Sequence, residues 1–561
     1  MERFSFRNPD AGTAPPPRLA LIDRVRQAAR REPLLLTFMA AAVAARVAFV
    51  AVSNRAFEDG LTTITHARNV PLGLGLTHHP GEGNVHGFTS AIGVLIPLVG
   101  ELVHEGSGLV AMRLASLVAV CVALIYARLI CRDLGLGTFP TAFVLAYLSF
   151  DQNMIFYGMS GMETQVAVAV ILGGVYHVRR NDVVGSGIWL GLAPLTRPEF
   201  VLWVAPALLY LALRNARLAA RTAAIAGAIV IPWLVFTFLY YGSPIPNTIV
   251  AKSTAFPTPP ILSGGSPLPW IEWLGGQFAG HAALLLYYLE PFREVWSTAA
   301  APIPTPVLVL ITVIVVYVVV VGLVGSRRIP DFWPITAFLA LFFLYRVYFL
   351  PVIFYGDWYM PPFLALVMIV AALGMQRLAA VTPNAPAVLA TVLAIAFAIH
   401  MPFSFIVEGK VQAIENQVRT NAGEYLRANV KPGQSVVSES AGYIGFYGNV
   451  KLYDFPGLTS PTSVRALKKL PPDKRDLADL IAVLQPDWIV VRPWELDSLR
   501  SSFPDVAALY AVDRVFEMPG VPESRLNIDG ASTVSFGGLV EVSTDEKFTV
   551  LRRIASLSPS P

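Results

Sequence analysis

Charge is scarce in this chain of 561 residues: 14% are Asp, Glu, Lys or Arg, 55% are hydrophobic, and mean hydropathy is +0.57. About a quarter of residues are charged in ordinary soluble domains, so that class is excluded. Cysteine is nearly absent. Cys121 and Cys131 fall in one expected helix, where ten residues rise about 15 Å, too far for a disulfide. They carry no redox or metal signal. No zinc-binding spacing occurs either, since HHPGEGNVH (78–86) lacks the HExxH helix pattern. No internal repeat is visible, so the inverted-repeat signature of many transporters is missing. No small-residue cleavage site marks a signal peptide, and the first apolar run is expected to stay as an anchor. The net charge of +4 says little by itself, because its distribution matters more, and no nucleic-acid partner is expected.

Long apolar runs are what the chain has in abundance. Windows of about 20 residues place spans near 33–53, 108–131, 137–150, 163–178, 184–196, 199–213, 220–241, 304–325, 333–350, 358–376 and 385–406. Arginines cluster in alternate short connections: Arg128 and Arg132, Arg179 and Arg180, Arg214, Arg217 and Arg221, Arg327 and Arg328, then Arg377. The leading segment adds Arg24, Arg26, Arg30 and Arg31. Basic residues stay on the cytoplasmic side, so the amino terminus is expected inside and the carboxy terminus outside. The shorter run Ser90–Val103 is expected to lie in the interface. The fold class expected is an α-helical polytopic membrane protein with about eleven transmembrane helices and interfacial helices in the first external loop. From about residue 408 charge returns. VKPGQSVVSES, NVKLYDFPG and QPDWIVVRP read as strands and alternate with helical pattern at Val411–Asn429 and Asp473–Leu484. The divisions are 1–32 cytoplasmic, 33–407 transmembrane with external loops 54–107 and 242–303, and 408–561 a soluble extracytoplasmic α/β domain.

This layout puts the unusual polar residues on one side of the bilayer. Glu58, Asp59, His66, Arg68, His78, His79, Glu82 and His86 share the first external segment. Glu163, Arg197, Glu199, Asn247, Lys252 and Asp357 lie at the outer ends of later spans. Polar groups converging at one membrane depth are the expected form of a site between helices. Each also has a plainer reading: Arg197 as a structural bridge to Glu199, Glu163 as a helix cap, His78 and His79 as loop surface. The adjacent carboxylates Glu58 and Asp59 are the expected catalytic groups, because ionised acids at a membrane edge are costly unless used or paired. One can accept a proton from a hydroxyl nucleophile. The other can orient the acceptor, tune its neighbour or hold a divalent cation.

Several segments then match a known pattern in order. EDGLTTITHARNVPLGLGLTHHPGEGNVHGFTS, SGMETQ, GLAPLTRPEF, YYGSPIPNTIVAKS, YGDWYMPPF and SAGYIGFYGNVKLYDFPGLTSP resemble the GT-C glycosyltransferases related to the mycobacterial terminal β-(1→2) arabinofuranosyltransferase. The resemblance runs from about residue 57 to 495. It departs from the family at Thr65 and His66, at Ala91, and in lacking the Arg usual after GDW. It implies an inverting sugar transfer, with arabinofuranose favoured, from a polyprenyl-phosphate donor to a glycan or glycoprotein acceptor outside the plasma membrane. By carry-over Glu58 or Asp59 is the base, Arg197, Lys252 and Asp357 contact donor or phosphate, and Glu163, His86 and Asn247 shape the pocket. Arg68, His66 and Glu199 complete the expected substrate-binding set. A transporter or flippase of a lipid-linked glycan is the alternative, sharing the ligand and similar charges.

Overall fold

The computed structural model describes residues 32–79, 81–256, 275–276, 305–349, 357–518, 533–536, 540–543 and 545–554. The leading arginines and the Pro/Gly/Ser-rich part of the second long connection lie outside these residues. Each apolar run coincides with a helix: Pro33–Ser53, Gly108–Asp133, Thr138–Phe150, Thr164–Arg179, Val183–Thr196, Val201–Arg214, Ala216–Tyr241, Thr305–Ser326, Trp333–Phe349, Met360–Leu378 and Ala385–Glu415. Among the described residues four are both long and apolar enough to cross a bilayer: Pro33–Ser53, Gly108–Asp133, Ala216–Tyr241 and Met360–Leu378. By length and composition these four stand as spans among the described residues, and they do not by themselves make up the expected eleven. Large apolar side chains such as Val47, Val52, Leu114, Val118, Phe238 and Leu239 stay exposed along these helices. A surface of that kind requires an apolar solvent, as in a bilayer.

The one charge in the first span has a structural use. Arg46 is fully buried and donates to the carbonyls of Ser149 (2.9 Å), Leu148 (3.3 Å) and Ala42 (3.2 Å) and to Gln165 Oε1 (2.8 Å). Leu148 and Ser149 end the Thr138–Phe150 helix, which breaks at Asp151 before the short Gln152–Met159 helix. Carbonyls freed by such a break need donors where water is excluded. The expected interfacial run forms the Ala91–Val103 helix, capped by Ser90 Oγ on Gly93 N–H at 2.8 Å. Glu101 near its end accepts from Gly106 N–H and Gly108 N–H, at 2.7 and 2.9 Å. It thereby supplies acceptors for the next helix start.

The arginine clusters meet at one end of the bundle. Arg128 pairs with Glu32 (2.8 Å), Arg180 with Asp133 (3.1 Å) and Arg179 with Asp331 (3.2 Å), and Arg377 donates to Gly325 O (2.7 Å). The Thr164–Arg179 helix starts beside Glu163 and finishes at this end, so Glu163 marks the opposite end.

Helix Ala385–Glu415 continues through a π-helical turn, Asn416–Thr420, into helix Asn421–Asn429. The last apolar helix thus joins the α/β part without a flexible hinge. There β1 (Ser435–Ser438), β2 (Lys451–Asp454), β3 (Trp488–Val491), β4 (Tyr510–Glu517) and β7 (Lys547–Arg553) form a sheet in the order β2-β1-β3-β7-β4. The first three strands are parallel, with Val437 opposite Tyr453 and Ile489, and β7 runs antiparallel to β3 and β4. β5 (Thr533–Phe536) and β6 (Val540–Ser543) make a separate hairpin. Val436, Val490 and Val550 bury one sheet face, and Val437, Ile489 and Leu551 the other. Two covered faces explain the continuous WIVV run of β3.

Between β1 and β2 lies helix Ala441–Gly448, which docks on helix Glu58–Asn69. Its glycines permit the contact. A Cβ on Gly442 would lie 2.0 Å from Glu58 O, and one on Gly445 2.3 Å from the His78 ring. His78 and His79, expected on a loop surface, are buried instead. The α/β part covers them, and His78 Nε2 lies 3.1 Å from Ala441 O.

Candidate active site

Asp59 stands in the first turn of the Glu58–Asn69 helix and lines a cavity of about 50 Å³. That volume holds a few waters. Thr62, Thr63, Phe88, Ser90, Glu163, Arg197, Thr248, Lys252, Trp358, Tyr359 and Leu458 share the lining. Five helices among the described residues begin here: Glu58–Asn69, Ala91–Val103, Thr164–Arg179, Asn247–Ala255 and Met360–Leu378. Their first-turn or capping residues are Asp59, Ser90, Glu163, Thr248 and Tyr359. Each helix start carries about half a positive charge and unpaired N–H groups, so their convergence favours an anion.

Side-chain cations add to that field. Arg197 sits at the break between helices Val183–Thr196 and Pro198–Phe200, where Pro198 cannot extend the first helix. Its guanidinium binds Glu163 at 2.7 Å, approaches Glu199 at 4.0 Å and lies 4.9 Å over the Tyr359 ring. Arg197 therefore bridges to Glu199 as one plain reading had it, with Glu163 the nearer partner. Glu163 occupies the N-cap position but makes no side-chain cap bond. Its Oε2 lies 2.9 Å from where a Gly93 Cβ would be, so a larger residue than glycine would collide with it. Lys252 differs: among the described residues no carboxylate lies within salt-bridge distance of its ammonium. Its pKa is raised, by Tyr359 first and also by Asp59 and Glu199, against the effect of burial. Asp59 is held above its ordinary value by burial, which outweighs the pull of Lys252 and Arg197.

Glu58 faces elsewhere. Its carboxylate accepts from Gly442 N–H at 2.5 Å and Tyr443 N–H at 3.3 Å, and meets Arg419 at 3.4 Å. Burial raises its pKa to about 7, with Glu439 and Glu415 adding to the rise and Arg419 opposing it. Arg419 also binds Glu415 at 3.2 Å and Asp545. The two adjacent acids therefore do not converge on one point. Among the described residues no group of three His, Cys, Asp or Glu is arranged for a metal.

Asn247, His86, His66, Arg68 and Glu199 fall around the cavity rather than in it. Asn247 donates to Gly457 O (2.7 Å) and Leu458 O (3.1 Å), tying the loop after β2 to the helical part. Asp454 grips the same loop through Leu458 N–H and Thr459 N–H, which holds Leu458 in the cavity wall. His86 stacks on Tyr241 at 4.8 Å, and burial lowers its pKa to about 4. His66 is buried, with Nδ1 2.9 Å from Thr62 O and a pKa lowered to about 3, chiefly by burial. Both rings pack against Phe88. Arg68 stacks 4.2 Å over Phe446 of the α/β part. Glu199 stands behind Arg197 outside the lining. Asp357 opens the Asp357–Tyr359 turn, but its side chain lies outside the described residues.

Sequence reasoning missed Trp358, Tyr359, Thr248, Ser90 and Leu458 as lining, although GDWYM and GLTSP were quoted for their pattern. It also missed Arg55, which donates to Glu408 (3.0 Å), Gln412 (3.2 Å) and Tyr443 Oη (3.2 Å).

Residues 410–536 match a family described as a domain of unknown function (DUF8728). Comparison with curated protein sequences finds no match. Two crystal structures of ArnT from Cupriavidus metallidurans are similar in fold at 13% identity. One is bound to undecaprenyl phosphate, covers 94% of this chain and all of its own, and has a TM-score of 0.49; the apo form covers 95% and all of its own, at 0.46. Likeness at that level does not extend to function.

Proposed function

We propose that this protein is a membrane glycosyltransferase that moves a sugar from a polyprenyl-phosphate donor to a hydroxyl acceptor. The observation that carries the reading is the meeting of Asp59, Arg197 and Lys252 in one cavity at the start of five helices. A base and a strong anion site in one cavity suit a displacement that releases phosphate. The ordered sequence motifs support the sugar class, with arabinofuranose as the sugar favoured. The site lies at the end of the bundle opposite the arginine clusters, which supports an extracytoplasmic location with the α/β domain on the same side.

In the reaction Asp59 accepts the proton of the acceptor hydroxyl. The oxygen lone pair attacks the anomeric carbon as the bond to the phosphate oxygen breaks, which inverts that carbon. The charge left on the polyprenyl phosphate is met by Lys252, Arg197 and the helix starts. Burial strengthens Asp59 as a base by destabilising its carboxylate. Glu163 holds the Arg197 fork in place. Trp358, packed 5.7 Å from the Phe57 ring and 6.1 Å from the Tyr157 ring, offers an apolar wall to the sugar.

The test is turnover of synthetic decaprenyl-phosphoryl arabinofuranose by purified protein in detergent, with release of decaprenyl phosphate as readout. Release by the native chain and its loss in Asp59→Asn support the reading. A flippase has no sidedness to act on in detergent, so binding without release would favour it. Full activity in Asp59→Asn would overturn the assignment of the base.

A further inference from the structure

We propose that Glu58 is a positioning residue: it latches the Glu58–Asn69 helix to the α/β part through Gly442, Tyr443 and Arg419, and so fixes where Asp59 points. The proposal rests on the reading of Asp59 above. Adjacent positions on a helix lie about 100° apart around its axis. One can therefore face the cavity while the next faces a neighbour, as the contacts show. Glu58 meets the first N–H groups of helix Ala441–Gly448, which favours a carboxylate acceptor.

The latch is built rather than incidental. Gly442 admits the Glu58 backbone at a distance that no side chain allows. Arg419, on the π-helical turn, brings Glu415 and Asp545 to the same point. Arg492, which follows β3, joins it with Asp545 at 3.5 Å and Glu439 at 3.5 Å. Nearby, Tyr443 Oη donates to Ala56 O at 2.9 Å, just before the helix start. The helix that presents Asp59 is thus held at its first turn by the α/β part. The same part supplies Leu458 to the cavity wall. Its role is then to hold the base and close the site, beyond capping the surface.

The experiment uses the full chain in detergent with decaprenyl-phosphoryl arabinofuranose. In Glu58→Gln, kcat should fall about 10- to 100-fold, the scale of a small misplacement of a reacting group. KM for the donor should stay within about two-fold, and the acid limb of the pH profile, set by Asp59, should stay in place. Arg419→Lys should keep more activity than Arg419→Met. Native kcat in Glu58→Gln would overturn the proposal, as would a loss equal to that of Asp59→Asn with the acid limb abolished. Hydrogen exchange gives a readout free of substrate. Glu58→Gln should raise exchange in 58–69 and 441–448 together, and unchanged exchange would overturn the latch. If the native chain does not turn over the probe, the reading of Asp59 fails, and exchange alone still decides whether the latch exists.

Discussion

The two ends of the helix bundle use charge in opposite ways. At one end Arg128, Arg179 and Arg180 each have a carboxylate partner, and Arg180 is half exposed. At the other end Lys252 has none within reach among the described residues, and Asp59 is surrounded by cavity, hydroxyls and helix starts. Paired and solvated charges cost little and do little. Unpaired ones in a low-dielectric cleft are costly, and that cost is offset when a substrate supplies the missing partner. The difference predicts where substitutions will matter.

The largest effect should come from Asp59→Asn. Removing a general base lowers kcat by about 10²- to 10⁴-fold, measured as decaprenyl phosphate release. In the native chain kcat/KM should fall on acidification, starting above the ordinary aspartate range, because burial raises the Asp59 pKa. Lys252→Met comes next. Losing one contact to the developing phosphate charge should lower kcat by about 10²-fold. Lys252 is also the main influence that lowers the Asp59 pKa. The same variant should therefore move the acid limb to higher pH. An unmoved limb would separate the two side chains and break the proposed site.

Much of this contrast was legible in the chain. Every apolar run became a helix, because long apolar sequence has few alternatives in a bilayer. The strands VVS, KLYD and WIVV were legible from their β-branched runs and turn borders. The motif segments EDG, FTSA, METQ, PNT and GDWY all mark helix starts at the cavity. What sequence could not give was direction. Glu58 and Asp59 look equivalent as neighbours, and only the docking of helix Ala441–Gly448 separates them. That helix was itself illegible, since AGYIGFYG is glycine-rich and its spacing serves close approach rather than propensity. The burial of His78 and His79 was missed for the same reason, because the covering element lies more than 360 residues away.

A smaller effect concerns stability and pH. Glu58 rises from an ordinary 4.5 to about 7 in the folded chain. The folded state then binds its proton more tightly than the unfolded state. The contribution is present in full below about pH 4.5 and is lost as pH rises towards 7. Thermal unfolding of Glu58→Gln should show a weaker decline in stability over that window than the native chain. An identical decline in both would show that another group carries the proton.

The smallest effect should come from the paired end. Arg180 meets Asp133 with two hydrogen bonds of 3.1 Å, yet its side chain is 50% exposed. Water and salt screen such a pair, and ordering two long side chains offsets part of the attraction. Arg180→Ala should leave both stability and the release of decaprenyl phosphate at the native level. Asp133→Asn should behave alike. A ten-fold loss of activity in either would mean that the two ends are coupled through the Thr164–Arg179 helix, which has Glu163 at one terminus and Arg180 at the other. Rigid helices can carry such coupling only if they have two arrangements. Here the same helix is packed along its length, with Val168, Ile171, Leu172 and Val175 fully buried. A single packed arrangement leaves the ends independent, so the paired arginines should report on orientation in the membrane and not on catalysis.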